Sequence, residues 1–116
     1  MTPGARVAAA IDVLDQIVAG APAEQALTRW ARAARYAGSK DRAAIRDHVF
    51  QALRCRRSYA ALGGGSTGRA IMVGAMRSDG IPPEIDINGE GHAPLGLSHG
   101  EQQIAPPKMT AAEQAN

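Results

Sequence analysis

The sequence predicts an all-α fold, and three observations carry that prediction. Apolar residues recur at three- and four-residue spacings in successive segments, which is the period of a helix face and not the alternation of a strand. The residues between those segments are helix punctuation: Thr2, Pro3, Pro22 and Ser39 stand where helices start, and Gly20, Gly38 and Gly63 to Gly65 stand where they stop. Alanine supplies 24 of the apolar residues, and only Trp30, Tyr36, Phe50 and Tyr59 are aromatic. Such helices can approach closely while each gains little burial energy, so the expected product is a closely packed, weakly driven bundle.

The first helix is capped by Thr2, starts at Pro3, carries a core stripe of Val7, Ile11, Leu14 and Val18, and ends at Gly20. Asp12 and Asp15 fall on its solvent side and read as a solvated face. A second helix spans residues 22–36, with Ala23, Ala26, Leu27, Trp30 and Ala34 on the core face and Arg29, Arg32 and Arg35 in a slanted stripe beside it.

The longest element predicted is one helix over residues 39–62, around which the rest of the chain is expected to organise. Ile45, Val49, Ala52, Leu53 and Ala60 form its core face, with Ala44, His48, Cys55 and Tyr59 flanking them. Arg46, Asp47, Gln51, Arg54, Arg57 and Ser58 surround Phe50 on the wet side. A short fourth helix is expected within residues 66–80, with Ile71, Met72, Ala75 and Met76 inward, although Gly74 inside it costs about 1 kcal/mol relative to Ala. Residues 1–80 therefore read as one helical domain.

Residues 81–116 are rich in Pro and Gly and read as an extended wrapping segment or linker. Ser98 and Glu101 have the capping-box spacing of a short helix that Pro106-Pro107 would end. Thr110 and Glu113 repeat that spacing three residues before the last residue, Asn116, which suggests a fragment of a longer protein; a natural disordered tail is the alternative reading.

Charge is divided unevenly along the chain. Residues 1–78 carry a net +7 and residues 79–116 a net −5, for a total of +2. A basic half of this kind suits a polyanion. The side chains expected to meet RNA are Arg29, Arg32, Arg35, Lys40, Arg46, Arg54 and Arg57 through phosphates and Phe50 through base stacking, with Tyr36 a further aromatic; a solvated face is the competing reading.

Other chemistry finds little support. A single cysteine, Cys55, excludes an intramolecular disulfide and reads as a buried structural thiol, and no Cys/His spacing suits zinc. His48 reads as an interior histidine. Gly63 to Gly68 satisfies G-x-G-x-x-G but follows a helix instead of a strand, so it reads as a joint between helices and not a nucleotide loop. With no leader, no long apolar span and no catalytic constellation, the expected setting is cytoplasmic, without a membrane.

MTPGARVAAAIDVLDQIVAG, DRAAIRDHVFQALR and EGHAPLGLSHGE together resemble the N-terminal region of the ribosomal RNA small subunit methyltransferase B family, the Sun/Fmu-like cytosine-5 methyltransferases. That region is similar to the antitermination factor NusB, so the resemblance implies a NusB-like helical bundle that binds RNA. In this family methyl transfer belongs to a separate domain with an S-adenosylmethionine site and two cysteines, and Cys55 matches neither of them. The resemblance thus implies an accessory module that positions 16S rRNA for a catalytic domain, with no cofactor in these 116 residues. The alternative it implies is a NusB-type module docking a ribosomal or transcription-complex protein, with the acidic C-terminal segment as the contact.

Overall fold

The computed structural model describes residues 1–102 and contains six α-helices. These are α1 (Pro3–Val18), α2 (Ala23–Ala33), α3 (Ser39–Arg54), α4 (Arg56–Gly63), α5 (Gly68–Ser78) and α6 (His99–Gln102), with a 3-10 turn at Pro83–Ile85. No strand occurs among the described residues, so the fold is all-α. The expectations for Pro106-Pro107 and for Thr110 to Glu113 lie outside the described residues.

Local chemistry accounts for the starts. The Thr2 hydroxyl accepts from Ala5 N at 3.1 Å and Pro3 opens α1. Gly38, not Ser39, is the N-cap of α3, and Asp41 in its first turn accepts from Gly38 N at 3.1 Å. Asp41 is buried and also takes Arg6 Nε at 2.9 Å and Arg6 Nη2 at 2.8 Å, tying α3 to α1. Those Arg6 hydrogen bonds, the Gly38 amide and the charges of the N-terminus and Arg6 hold the Asp41 carboxyl below the usual range.

α2 is shorter than the sequence suggests. It stops at Ala33 because Ala34 leaves helical geometry (φ −99°, ψ 64°) and the chain turns to bury Ala34 and Ala37 on its way to α3. Arg35 and Tyr36 therefore lie in that turn and not on the helix.

The single helix expected over 39–62 is two. The chain breaks at Cys55 (φ −112°, ψ 25°) and resumes as α4, which runs against α5. The reason is an unusually close helix crossing: a Cβ on Gly63 would overlap the Ala70 carbonyl, and one on Gly74 would overlap the Tyr59 carbonyl. A straight continuation of α3 would carry residues 59–63 away from α5 and forfeit that contact. α4 then ends where the glycines predict, with Gly64 at φ 79° and Gly65 N bonding back to Ala60 O at 3.0 Å.

α5 touches α1, α3, α4 and the Pro83–Ile85 turn, α1 touches α2, α3 and α5, and α3 touches α1, α4 and α5, so the packing is shared among α1, α3 and α5. Leu14, Val13, Ile45, Val49, Ile71, Met72, Val73 and Ile87 are almost fully enclosed. Each such side chain contributes roughly 1.5–3 kcal/mol of transfer free energy. Ile87 belongs to the segment after residue 80, which thus supplies part of the core.

Arginines fasten the same segment. Arg69 meets both Glu101 oxygens at 2.9 and 3.1 Å and the Gly96 carbonyl at 3.0 Å. Arg77 donates to the Leu62 and Glu101 carbonyls at 2.8 and 2.9 Å. Ser98 and Glu101 make the reciprocal capping contacts that their spacing suggests, at 2.8 and 3.2 Å.

Candidate nucleic-acid interface

The cations sort into two kinds by what they touch. Arg6 and Arg69 hold carboxylates and Arg77 holds carbonyls, so all three are fastenings of the fold. Arg29, Arg32, Arg35, Lys40, Arg42, Arg56 and Arg57 are exposed and make no hydrogen bond or ion pair among the described residues. Arg54, also exposed, meets only the neutral Gln51 side chain among the described residues, at 2.7 Å.

Two of the residues expected to bind RNA are already engaged. Arg46 forms a two-pronged pair with Glu24, with Nη1 at 3.0 Å from Oε2, and its guanidinium lies 4.9 Å from the centre of the Phe50 ring. That pair lowers the Glu24 pKa and raises that of Arg46. Phe50 is half-buried against the core instead of standing free on the wet face. The remaining six expected cations are Arg29, Arg32, Arg35, Lys40, Arg54 and Arg57.

These six do not form one patch. Arg29 and Arg32 line a shallow depression with Glu24, Gln25 and Thr28, Arg35 follows in the turn, and Lys40 opens α3. Arg54 and Arg57 lie with Arg56 around the α3–α4 junction. Lys40 and Arg54 are fourteen residues apart on one helix, about 21 Å along its axis. Two basic surfaces separated by that distance suit an extended strand better than a single phosphate group.

Beside the first surface, residues of α1, α2, the turn after it and the loop at 90–92 enclose a cleft of about 890 Å3. Trp30 and the 76% exposed Tyr36 supply aromatic faces, Asp12 and Glu90 supply carboxylates, and Ala5, Ala8 and Ala9 leave room on the α1 side. Burial, helped by the nearby Asp15 charge, raises the Asp12 pKa. Asp12 is exposed, as the sequence suggests, and it also lines this cleft. The one signal for it in the sequence is the run of small residues beside it on α1.

Asp15 is exposed too, and beyond meeting solvent its Oδ1 accepts from Gly68 N at 2.8 Å and so caps α5 from a distance in sequence. Cys55 is half-buried, with Gln51 Nε2 3.5 Å from its sulfur. His48 is half-buried in the groove between α3, α4 and α5, where burial holds its pKa below the ordinary value. Gly63 to Gly68 joins α4 to α5. Among the described residues no group of His, Cys, Asp and Glu could hold a metal ion, and no helix is long and apolar enough to cross a membrane.

No protein-family model, curated protein or solved structure matches the chain.

Proposed function

We propose that this chain is a NusB-like, RNA-binding accessory domain that positions 16S rRNA for the catalytic domain of a cytosine-5 methyltransferase. The observation that carries the RNA-binding part is the set of exposed arginines and one lysine, spread over two surfaces, that have no carboxylate partner among the described residues. Cations that do not stabilise the protein are free to neutralise phosphates, which releases counterions and drives association. The methyltransferase context rests on the sequence resemblance alone.

The test is a salt titration of binding to a single-stranded oligoribonucleotide. Each phosphate contact contributes about −0.7 to the log–log slope, so three or more contacts give about −2 or steeper. Arg29→Glu, Arg32→Glu and Arg35→Glu together should abolish most of the binding. A slope near zero, or unchanged affinity in the triple variant, refutes the reading.

One observation favours a second reading, docking of a ribosomal or transcription-complex protein through the C-terminal segment: Ile85 and Leu95 are 60% and 78% exposed there. Deleting the segment is a poor test because Ile87 leaves with it. Ile85→Ser combined with Leu95→Ser removes the apolar surface and keeps the core, and protein binding lost with RNA binding retained would favour docking.

A further inference from the structure

The cleft beside α1 has a composition that a general phosphate-binding surface does not need. Resting on the RNA-binding reading above, we infer that it receives one unstacked guanine base of the bound strand, held against Trp30 and Tyr36 and read by the Asp12 carboxylate.

Three features point to this occupant. The cleft, at about 890 Å3, is within the roughly 300–1,000 Å3 range of clefts that take small molecules, and so has room for one base. Aromatic side chains are the usual platform for a base out of its stack, and Arg29, Arg32 and Arg35 flank Trp30 and Tyr36 in sequence, as phosphate contacts flank stacked bases. A carboxylate then selects among bases by hydrogen-bond pattern. Guanine presents two adjacent donors, N1–H and the 2-amino group, which a carboxylate accepts in parallel. Adenine, cytosine and uracil each place an acceptor beside their donor on that edge and set a lone pair against a carboxylate oxygen.

Charge separates this occupant from a basic peptide. A peptide cation would suit Asp12 and Glu90, but Arg29 and Arg35, each next in sequence to an aromatic residue of the lining, favour a phosphodiester strand over a second cation. Asp12 makes no hydrogen bond or ion pair among the described residues, so two N–H donors would compensate it directly.

Trp30 is the sole tryptophan of the chain, so its fluorescence reports the cleft. The experiment uses the full 116-residue chain and decauridylates carrying one central guanosine, inosine or adenosine. The guanosine strand should quench Trp30 and bind about tenfold more tightly than the adenosine strand, with inosine, which lacks the 2-amino group, between them. Asp12→Asn should reduce the guanosine preference to less than about twofold and leave plain decauridylate binding unchanged. Tyr36→Ala, at an exposed position, should weaken the guanosine strand by about fivefold or more. Equal affinity for the three strands, or a preference that survives Asp12→Asn, overturns the inference and leaves the RNA-binding reading standing. Quenching by hexaarginine at lower concentration than by the guanosine strand overturns it in favour of a peptide cation. If decauridylate itself fails to bind at low salt, both readings fall.

Discussion

Replacing Gly74 with Ala gives a change of stability whose sign depends on the α4–α5 crossing. In a solvent-exposed helix Gly→Ala is stabilising by about 0.8–1 kcal/mol, because Ala loses less backbone entropy on folding. Here the new Cβ would overlap the carbonyl and Cα of Tyr59, and backbone cannot rotate away as a side-chain tip can. The helices would have to separate, loosening Tyr59 and Met72, and overpacking of this kind costs roughly 1–3 kcal/mol, with rigid contacts at the upper end. The expected net loss is about 2 kcal/mol, or a fall in Tm of about 10 °C for a domain of this size. Circular dichroism melts at 222 nm measure it, with Gly100→Ala in α6 as the control, since nothing lies within 4 Å of the Cβ there. A Tm for Gly74→Ala at or above that of the parent would show that the crossing is looser than described, and the account of the Cys55 break would fail with it.

Asp15→Ala leaves the Gly68 amide without its acceptor and should cost about 1 kcal/mol, read as a lower midpoint in urea; no change would remove the long-range cap. The folded-state pKa of His48 lies below its ordinary 6.5, chiefly through burial. The unfolded chain therefore takes up the proton first, and stability should be constant above pH 6.5 and decline as pH drops through it, a decline that His48→Gln flattens in melts across pH 5 to 8. Glu101 is the opposite case: its pairing with Arg69 and its Ser98 contacts bring its pKa from 4.5 to about 2. That stabilisation should be complete above pH 4.5 and fade towards pH 2, where the hydrogen-exchange protection factors of residues 96–102 should fall; Glu101→Gln should exchange faster even at pH 7.

The helices were legible where one residue decided the outcome locally. Thr2 and Pro3 start α1, Gly64 ends α4, and Ser98 with Glu101 starts α6, each through a contact within about one turn. What sequence periodicity missed depends on distant backbone. Residues 39–62 keep a helical apolar period through Cys55, and nothing local to Cys55 reveals that α5 passes so close that Gly63 and Gly74 must lack side chains. Gly74, which looked like a defect in a helix, is what admits the Tyr59 carbonyl. The period of a pattern describes one helix in isolation, whereas the break is set by a partner thirteen or more residues away.

The interface divides along the same line. A stripe of arginines can be read from spacing alone, because exposed positions on a helix follow from its apolar face, and Arg29, Arg32 and Lys40 are exposed accordingly. Whether an arginine is free depends on where carboxylates end up. Arg46 and Glu24 are 22 residues apart, Arg6 and Asp41 are 35 apart, and Arg69 and Glu101 are 32 apart. The acidic residues that cancel basic ones in the overall charge are thus not spread evenly over the surface: Glu24, Asp41 and Glu101 are each consumed by one particular arginine. Those three pairs engage Arg6, Arg46 and Arg69, and the exposed cations that remain lie on α2, its following turn, α3 and the α3–α4 junction, so positive charge is local although the net charge is only +2.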